Sequence, residues 1–209
     1  MKELLEQLDN CYVNLDISAT EELKEKYNQL YDSFEDVCKS HRKWSVISYY
    51  HINRVIERSS AGTHINRKYA IFSTNPDLEI IRSAFNPLSI INSHVSIYLF
   101  PSFLLVKNRN DRFALIEFKD LYFHFDSDHF VEDGQVPKDA KVIDYAWLRS
   151  NKDGSPDLRF RDNYQIPICQ YGRIDFQSAE GLNESFQISS YLHTKRFADC
   201  LERYMGEFV

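Results

Sequence analysis

The stretch LYFHFD at Leu121–Asp126 places large apolar side chains on every second residue. Successive side chains of an extended strand point to opposite faces of a sheet, so Leu121, Phe123 and Phe125 fall on one face. The same alternation occurs in four other segments of the chain: Ile97 to Leu99, Ile143 to Trp147, Ile174 to Phe176 and Phe186 to Ile188. Short alternating segments separated by turns predict an antiparallel sheet or barrel rather than a parallel α/β sheet.

Turn-forming residues separate these segments and predict hairpins. Pro101 bends the apolar run around it into a strand pair, and the cluster NRND at 108–111 turns the chain into the apolar strand Phe113–Phe118. Ala179–Gly181 separates two later strands in the same way. The second half of the chain is therefore predicted to be a series of short, locally paired strands.

An amphipathic helix is predicted before the strands. Its apolar residues are spaced alternately four and three apart, as in a packed helix, at Leu23, Tyr27, Leu30, Phe34 and Val37. Ser18 and Glu21 form a capping-box pair at its start, and the leucines of residues 4–8 indicate a shorter helix before it. We predict a helical hairpin at residues 1–40, which packs against the rest of the chain or offers a coiled-coil seam for self-association or a partner helix.

A second amphipathic helix is predicted at the end of the chain, over about Tyr191–Met205. Phe197, Leu201 and Tyr204 share one stripe of this helix, and Gly206 is placed to end it. The chain is thus predicted to finish with a helix that buries one face.

The order of short antiparallel strands followed by one amphipathic helix resembles the pleckstrin-homology superfold, including its bacterial versions. The block WLRSNKDGSPDLRFRDN at 147–163, with IPICQYG at 166–172 and GLNES at 181–185, is similar to a block of an uncharacterised bacterial protein family. The resemblance implies an α+β fold in which the helical hairpin precedes an antiparallel pleckstrin-like barrel capped by the C-terminal helix. Residues 41–209 would form this β-rich domain, with 41–94 as a lead-in of unassigned fold.

The composition is typical of a globular protein of the cytoplasm. The 209 residues are 43% hydrophobic and 27% charged, which excludes disordered and fibrous chains. The four cysteines occur singly, without a CxxC pair, so we expect reduced core residues and no zinc site. The longest apolar run is too short to span a membrane, and the N-terminal leucines alternate with acids, unlike a signal peptide. We expect a soluble, cytoplasmic chain without a metal or cofactor.

Positive charge is concentrated in residues 41–73, which contain six Lys or Arg against the single Glu57. Aromatic residues lie between these cations, and this mixture suits phosphate contacts combined with base stacking. The candidate nucleic-acid contacts are Arg54, Arg58, Arg67 and Lys68. The alternative is neutralisation within the fold by the acidic residues 1–40.

The segment NKDGSPDLRF at 151–160 is rich in turn formers and predicts an ordered loop between two strands. Lys152, Arg159 and Arg161 are candidate ligands for a carboxylate or a phosphate, because their cationic groups donate several hydrogen bonds. Neighbouring aspartates offset part of that charge.

The triplet Glu117-Phe-Lys119 ends an apolar strand and resembles the motif of the PD-(D/E)xK nuclease superfamily, where such a strand carries a metal-binding carboxylate and a lysine. Asp111 would have to supply the second carboxylate. The chain then continues as an alternating strand where those nucleases have a helix, so the other interpretation is a pair of solvated charges at a strand end.

The sequence contains no glycine-rich phosphate loop, no HExxH and no GxSxG motif. We therefore expect a non-catalytic interaction module that serves as a subunit or adaptor of a larger bacterial assembly and binds a protein partner. The alternative is a protein that binds or processes nucleic acid through the basic residues and the Glu117–Lys119 strand.

Overall fold

The computed structural model of the chain describes residues 13–17, 20–51, 63–78, 81–151 and 153–208. The strands are β1 (Val13–Leu15), β2 (Lys43–His51), β3 (Thr63–Tyr69), β4 (Ile71–Ser73), β5 (Ile81–Ser83), β6 (Leu88–Ile91), β7 (Val95–Leu99), β8 (Phe103–Asn108), β9 (Phe113–Glu117), β10 (Leu121–Val131), β11 (Lys141–Trp147), β12 (Gln165–Ser178) and β13 (Asn183–Ile188). The helices are α1 (Glu21–Cys38) and α2 (Tyr191–Met205), with short 3₁₀ turns at Phe118–Asp120 and Gly206–Phe208.

The described strands form three sheets. The large sheet is antiparallel, in the order β10-β12-β13-β2-β3, and β11 pairs with the N-terminal half of β12. A five-stranded antiparallel sheet has the order β4-β6-β7-β8-β9, and β1 pairs with β5 in a small parallel sheet. The chain passes from the large sheet to the five-stranded sheet through Ala70 alone, and it returns through the turn at Phe118–Asp120.

One buried cluster joins the two larger sheets to both helices. Alternation explains which side chains enter it: along β7, Val95, Ile97 and Leu99 face this cluster, whereas Tyr98 points to the opposite side of the sheet. Tyr98 packs there in a smaller cluster that is covered by residues of β1, β5 and their flanking segments. The middle strands of the five-stranded sheet are therefore covered on both faces, whereas Leu115 on the edge strand β9 is 55% exposed.

Helix α1 forms where the apolar spacing predicts it. Thr20 caps its first turn, because the Thr20 side chain accepts a hydrogen bond from the Leu23 amide at 3.2 Å, and the predicted cap Ser18 lies outside the described residues. Tyr27, Leu30 and Phe34 are buried against the sheets, so this apolar stripe is not exposed as a coiled-coil seam.

The C-terminal helix is confirmed over Tyr191–Met205. Ser190 caps its first turn by accepting from the His193 amide, and Phe197, Leu201 and Tyr204 are buried as predicted. Helix α2 packs against α1 and against β12. Helix α1 also contacts β4, so the two helices pack on each other and against both larger sheets.

The predicted N-terminal helical hairpin is wrong. Val13–Leu15 forms strand β1, which pairs in parallel with β5, and α1 is the one helix that precedes β2 in the described chain. Leu15 packs against the outer face of the five-stranded sheet, so burial of that face favours an extended segment over a second helix. The leucines of residues 4–8 lie outside the described residues.

The predicted pleckstrin-like barrel is also wrong, because the described strands divide between separate sheets and close no barrel. The apolar runs of β7 and β8 explain the difference. They carry apolar side chains on both faces, as strands in the middle of a three-layered structure do, whereas the outer face of a small barrel is solvated. Helix α2 accordingly lies on a sheet rather than in the open end of a barrel.

Gly172 marks the closest approach of α2 to β12. A Cβ atom placed on Gly172 would lie 2.5 Å from Cβ of Thr194, which is buried and held by a 2.7 Å hydrogen bond from its Oγ1 to the Ser190 carbonyl. We expect Gly172→Ala to lower the free energy of unfolding by about 1–3 kcal/mol, because the helix must shift outward. Chemical denaturation measures this change.

Gly206 provides the matched control for this prediction. It has negative φ and no atom within 4 Å of a built Cβ, so Gly206→Ala should leave stability nearly unchanged. Adding Thr194→Gly should recover part of the loss caused by Gly172→Ala. Equal effects of the two alanine substitutions would contradict the steric explanation.

Candidate functional site

A two-stranded arm is formed by residues 141–151 and 153–170, which comprise β11, the described part of its connection to β12, and the start of β12. β11 pairs with β12 alone among the described strands. The neighbouring strand β10 ends opposite Ile168, and β13 begins to pair only at Gly172. The arm therefore extends beyond the edge strands of the large sheet.

A buried ion pair fixes the base of the arm. Glu132 follows β10, is 1% exposed, and accepts hydrogen bonds from Arg42 Nη1 at 2.5 Å and from the Tyr171 hydroxyl at 3.1 Å. Burial, and then the Glu132 carboxylate, raise the pKa of Tyr171, so this hydroxyl stays protonated and continues to donate. Arg42 also donates to the Gln135 carbonyl at 2.8 Å, which ties β2 to the segment that leads into β11.

Asp139 forms a second attachment at the base. Its Oδ2 accepts hydrogen bonds from the His41 amide and from the Ser189 hydroxyl, both at 2.9 Å. These contacts join the segment just before β11 to the start of β2 and to the end of β13. The arm therefore leaves the body of the protein from a fixed point.

The tip of the arm is ordered by hydrogen bonds among its own residues. The Asn163 side chain accepts from the Arg149 amide at 2.9 Å and donates to the Arg149 carbonyl at 2.8 Å, as a neighbouring strand would. Asn151 Nδ2 donates to the Ser155 hydroxyl at 2.9 Å, and the Asn151 amide donates to the Ser155 carbonyl at 2.8 Å. A loop that is ordered in this way loses little conformational entropy when it binds.

Asp157 is the buried centre of this tip. Its carboxylate accepts from the Arg159 amide at 3.1 Å, from Arg159 Nε at 2.8 Å and from Arg159 Nη2 at 2.5 Å. The predicted ligand Arg159 is thus engaged with an aspartate of its own loop, and that hydrogen bonding raises the pKa of its guanidinium. Arg161 is exposed on the same loop, and Lys152 lies outside the described residues.

Apolar side chains lie on the outside of the arm. Leu158 is 88% exposed at the tip, and four aromatic or branched residues elsewhere on the arm are also exposed: Ile143, Tyr145, Phe160 and Tyr164. The Arg149 guanidinium lies 5.6 Å from the Phe160 ring centroid. Aromatic residues and arginine on a rigid support are the residue types enriched in the centres of protein–protein interfaces.

Sequence reasoning identified the loop but missed these contacts. It predicted β11 correctly from the alternation of Ile143, Tyr145 and Trp147, but alternation does not show whether a second layer covers a strand, and Ile143 and Tyr145 are exposed. Nothing in the sequence distinguishes Leu158 from a core leucine. The one available signal was the density of turn-forming residues around it.

The basic residues of 41–73 lie in several different environments. The Arg67 guanidinium lies 3.6 Å from the centroid of the Phe130 ring, and Lys68 is exposed on β3. Arg54 and Arg58 lie outside the described residues. Arg42 is neutralised by Glu132 from the far end of β10, so part of this positive charge is offset within the fold, although not by an acid of residues 1–40.

The nuclease-like residues are brought together only in part. Glu117 and Lys119 form an exposed ion pair at 2.6 Å, which raises the pKa of Lys119. Asp111 lies in the turn at the other end of β9 and pairs with Lys107 at 3.0 Å. Strand β9 separates Asp111 from Glu117 by roughly 20 Å, given the rise of an extended chain, so they do not converge on one ion.

A charged network covers the outer face of the large sheet. Arg173 on β12 donates to Asp126 at 3.0 Å, to Asp128 at 3.3 Å and to Asp175 at 3.2 Å. Gln187 adds a further hydrogen bond to Asp128. Three carboxylates of the described chain therefore engage the Arg173 guanidinium.

The described part of the chain contains no group of three or more side chains arranged to hold a metal ion. Neither described helix has the length and apolar character that a membrane span requires. Comparison with protein-family models, with curated proteins and with solved structures gave no match. The resemblance to a bacterial family therefore stays a prediction.

Proposed function

We propose that this chain is a non-catalytic interaction module that binds a protein partner through the tip of its arm and serves as a subunit or adaptor of a larger assembly. The observation that carries the proposal is the combination of internal order and exposure at the tip. Asp157 and Asn163 hold the loop in one conformation, while Leu158 is 88% exposed.

The proposal follows from how this loop is ordered. Loops are normally fixed by packing against the body of a protein, whereas this one is fixed by side-chain hydrogen bonds within itself. Because the Leu158 side chain stays exposed to water in the folded chain, its burial contributes nothing to the stability of the fold. Burial of this side chain by a partner would contribute about 1.5–3 kcal/mol to the binding free energy, and the loop would not need to reorganise.

Site-specific photo-crosslinking tests the proposal in the native cell. A photoreactive amino acid at position 158 of the full chain should give an adduct with one discrete protein, identified by mass spectrometry. Leu192 is the matched control, because it is a leucine that is 74% exposed on α2 and does not belong to the tip of the arm. The same residue at position 192 should give no such adduct.

The substitution Leu158→Asp provides the quantitative test. It should weaken binding of the identified partner about tenfold to a hundredfold, since burial of a leucine is lost and a charge is desolvated. Leu192→Asp should leave the affinity unchanged. Identical adducts at both positions, or equal binding by both variants, would show that the arm is not the interface.

Nucleic-acid binding remains the alternative expectation. It requires a salt-dependent mobility shift of labelled DNA or RNA that is weakened by replacing Arg54 and Arg58 with alanine. A shift that survives this double replacement would argue against these basic residues as the contact.

A further inference from the structure

We propose that two copies of this chain associate through strand β9, which pairs with β9 of the second copy in antiparallel orientation about a two-fold axis at Leu115. This pairing does not involve the arm and stands independently of the function proposed above. Strand β9 ends the five-stranded sheet, and no described strand pairs with its outer edge.

The exposed edge lacks the usual protection against strand pairing. Phe113 is 38% exposed and Leu115 is 55% exposed. Strand β9 contains no lysine or proline, and its one charged residue, Glu117, is the last of the strand. Edge strands of soluble proteins are normally blocked by lysine, proline, a bulge or a covering segment. An apolar edge of this kind is therefore suited to receive another strand.

Every second residue of β9 directs its backbone amide and carbonyl toward the outer edge of the sheet. The Asn108 amide donates to the Arg112 carbonyl at 3.0 Å, which fixes the phase of the β8–β9 ladder. Because hydrogen-bonded and non-hydrogen-bonded pairs alternate, Ala114 and Ile116 use their backbone groups toward β8. Phe113, Leu115 and Glu117 then direct their amides and carbonyls toward the outer edge.

The same three residues match one another when the strand is paired with its own copy. Antiparallel pairing centred on Leu115 places Leu115 opposite Leu115 of the second copy, and Phe113 opposite Glu117 of the second copy. Each of these pairs joins two residues whose backbone groups point outward, so all of them form hydrogen-bonded pairs. Interfaces with two-fold symmetry are self-complementary in this way.

Side chains on the outer face of the sheet support this register. Leu105 lies opposite Leu115 on the adjacent strand, so an apolar row would continue through the axis into the second copy. Lys107 lies opposite Phe113, and its ammonium is 5.8 Å from the Phe113 ring centroid, toward the seam. Glu117 of the second copy would follow on the same row. Within each copy Lys107 pairs with Asp111 and Glu117 pairs with Lys119, so each end of the seam would bring together two ion pairs whose nearest groups carry opposite charge.

The other face of the edge has space for the second strand. A groove of about 360 Å³ lies between β9 and the β12–β13 turn, and its lining includes Ala114, Ile116 and Leu182. In the proposed register, Ile116 of the second copy faces Ala114, and the symmetric contact repeats this arrangement. Ile116 is 3% exposed and stays in the core of its own copy, so the exposed Ala114 of each copy is the residue that leaves this face of the edge open to the second strand.

Disulfide trapping tests this register directly. Directly opposed residues of a hydrogen-bonded antiparallel pair have Cα atoms about 5.5 Å apart, within the range that a disulfide spans. Under mild oxidation, Leu115→Cys should form a covalent dimer, whereas Phe113→Cys alone should not. An equimolar mixture of Phe113→Cys and Glu117→Cys should form one, since these positions face each other across the seam.

Sedimentation equilibrium of the unmodified full chain provides the second measurement. The wild-type protein should dimerise reversibly, and Leu115→Lys should raise the dissociation constant by roughly a hundredfold, because two like charges would meet at the axis. Circular dichroism should show that Leu115→Lys is folded, as expected for an exposed position. A monomeric wild-type chain would overturn the proposal, and so would equal cross-linking of Leu115→Cys and Phe113→Cys. A monomer is also the result expected if an unrelated peptide, rather than a second copy, occupies this edge.

Discussion

Replacing Phe34 with alanine is expected to lower the free energy of unfolding by about 4 kcal/mol. Phe34 lies on α1 with no exposed surface, and its ring centroid is 5.7 Å from that of Phe72 and 5.1 Å from that of Phe197. The side chain thus connects α1 with α2 and with the five-stranded sheet. Its removal leaves a cavity between these three elements, so neighbouring side chains cannot fill it without moving a helix.

Urea denaturation followed by circular dichroism measures this change. Phe160→Ala is the matched control, because Phe160 is exposed on the arm and contacts the Arg149 guanidinium. We expect that variant to differ from the wild type by less than about 1 kcal/mol. If the two variants lost similar stability, Phe34 would not hold the position in the core that is described above.

Replacing Arg42 with methionine is expected to cost about 3 kcal/mol of stability. Glu132 is almost completely buried, and this substitution removes its cation while leaving the Tyr171 hydroxyl as its remaining partner. Water solvates this carboxylate in the unfolded chain, but in the folded variant neither water nor a counter-ion stabilises its charge. The expected value lies at the lower end of the range for buried pairs because Arg42 itself is partly solvated.

The exposed ion pair between Arg196 and Asp36 supplies the comparison. It joins α2 to α1 at 2.9 Å, with the Arg196 side chain largely in solvent. Arg196→Met should therefore cost no more than about 1 kcal/mol. Adding Glu132→Gln to Arg42→Met should restore part of the stability, and a failure to do so would assign the loss to packing of the arginine stem rather than to charge.

Features that depend on local sequence could be predicted. The stripe Phe197, Leu201 and Tyr204, with Gly206 placed to end the helix, predicted α2 over Tyr191–Met205 as observed. The alternation of Leu121–Asp126 defined the start of β10 in the same way. Period and capping chemistry act within one turn of a helix or one pair of residues, so they are visible without knowledge of the partner elements.

Features that depend on distant partners could not be predicted. The three residues of β1 carry no pattern that indicates parallel pairing with β5, more than sixty residues further along the chain. The apolar character of both faces of β7 and β8 was visible, but it required a three-layered arrangement to explain it. The exposure of Leu158 depends on the absence of a covering layer, which no local rule reports.

The single-residue passage at Ala70 has a consequence for how the protein opens. The Ala70 amide donates to the Lys43 carbonyl at 2.9 Å, so the crossing point is itself hydrogen-bonded to the large sheet. Because one residue forms this connection, a strand of one sheet cannot move away without displacing the adjoining strand of the other sheet. Amide hydrogens of the two sheets should consequently exchange with solvent as one cooperative unit, while those at the tip of the arm exchange through smaller and more frequent openings.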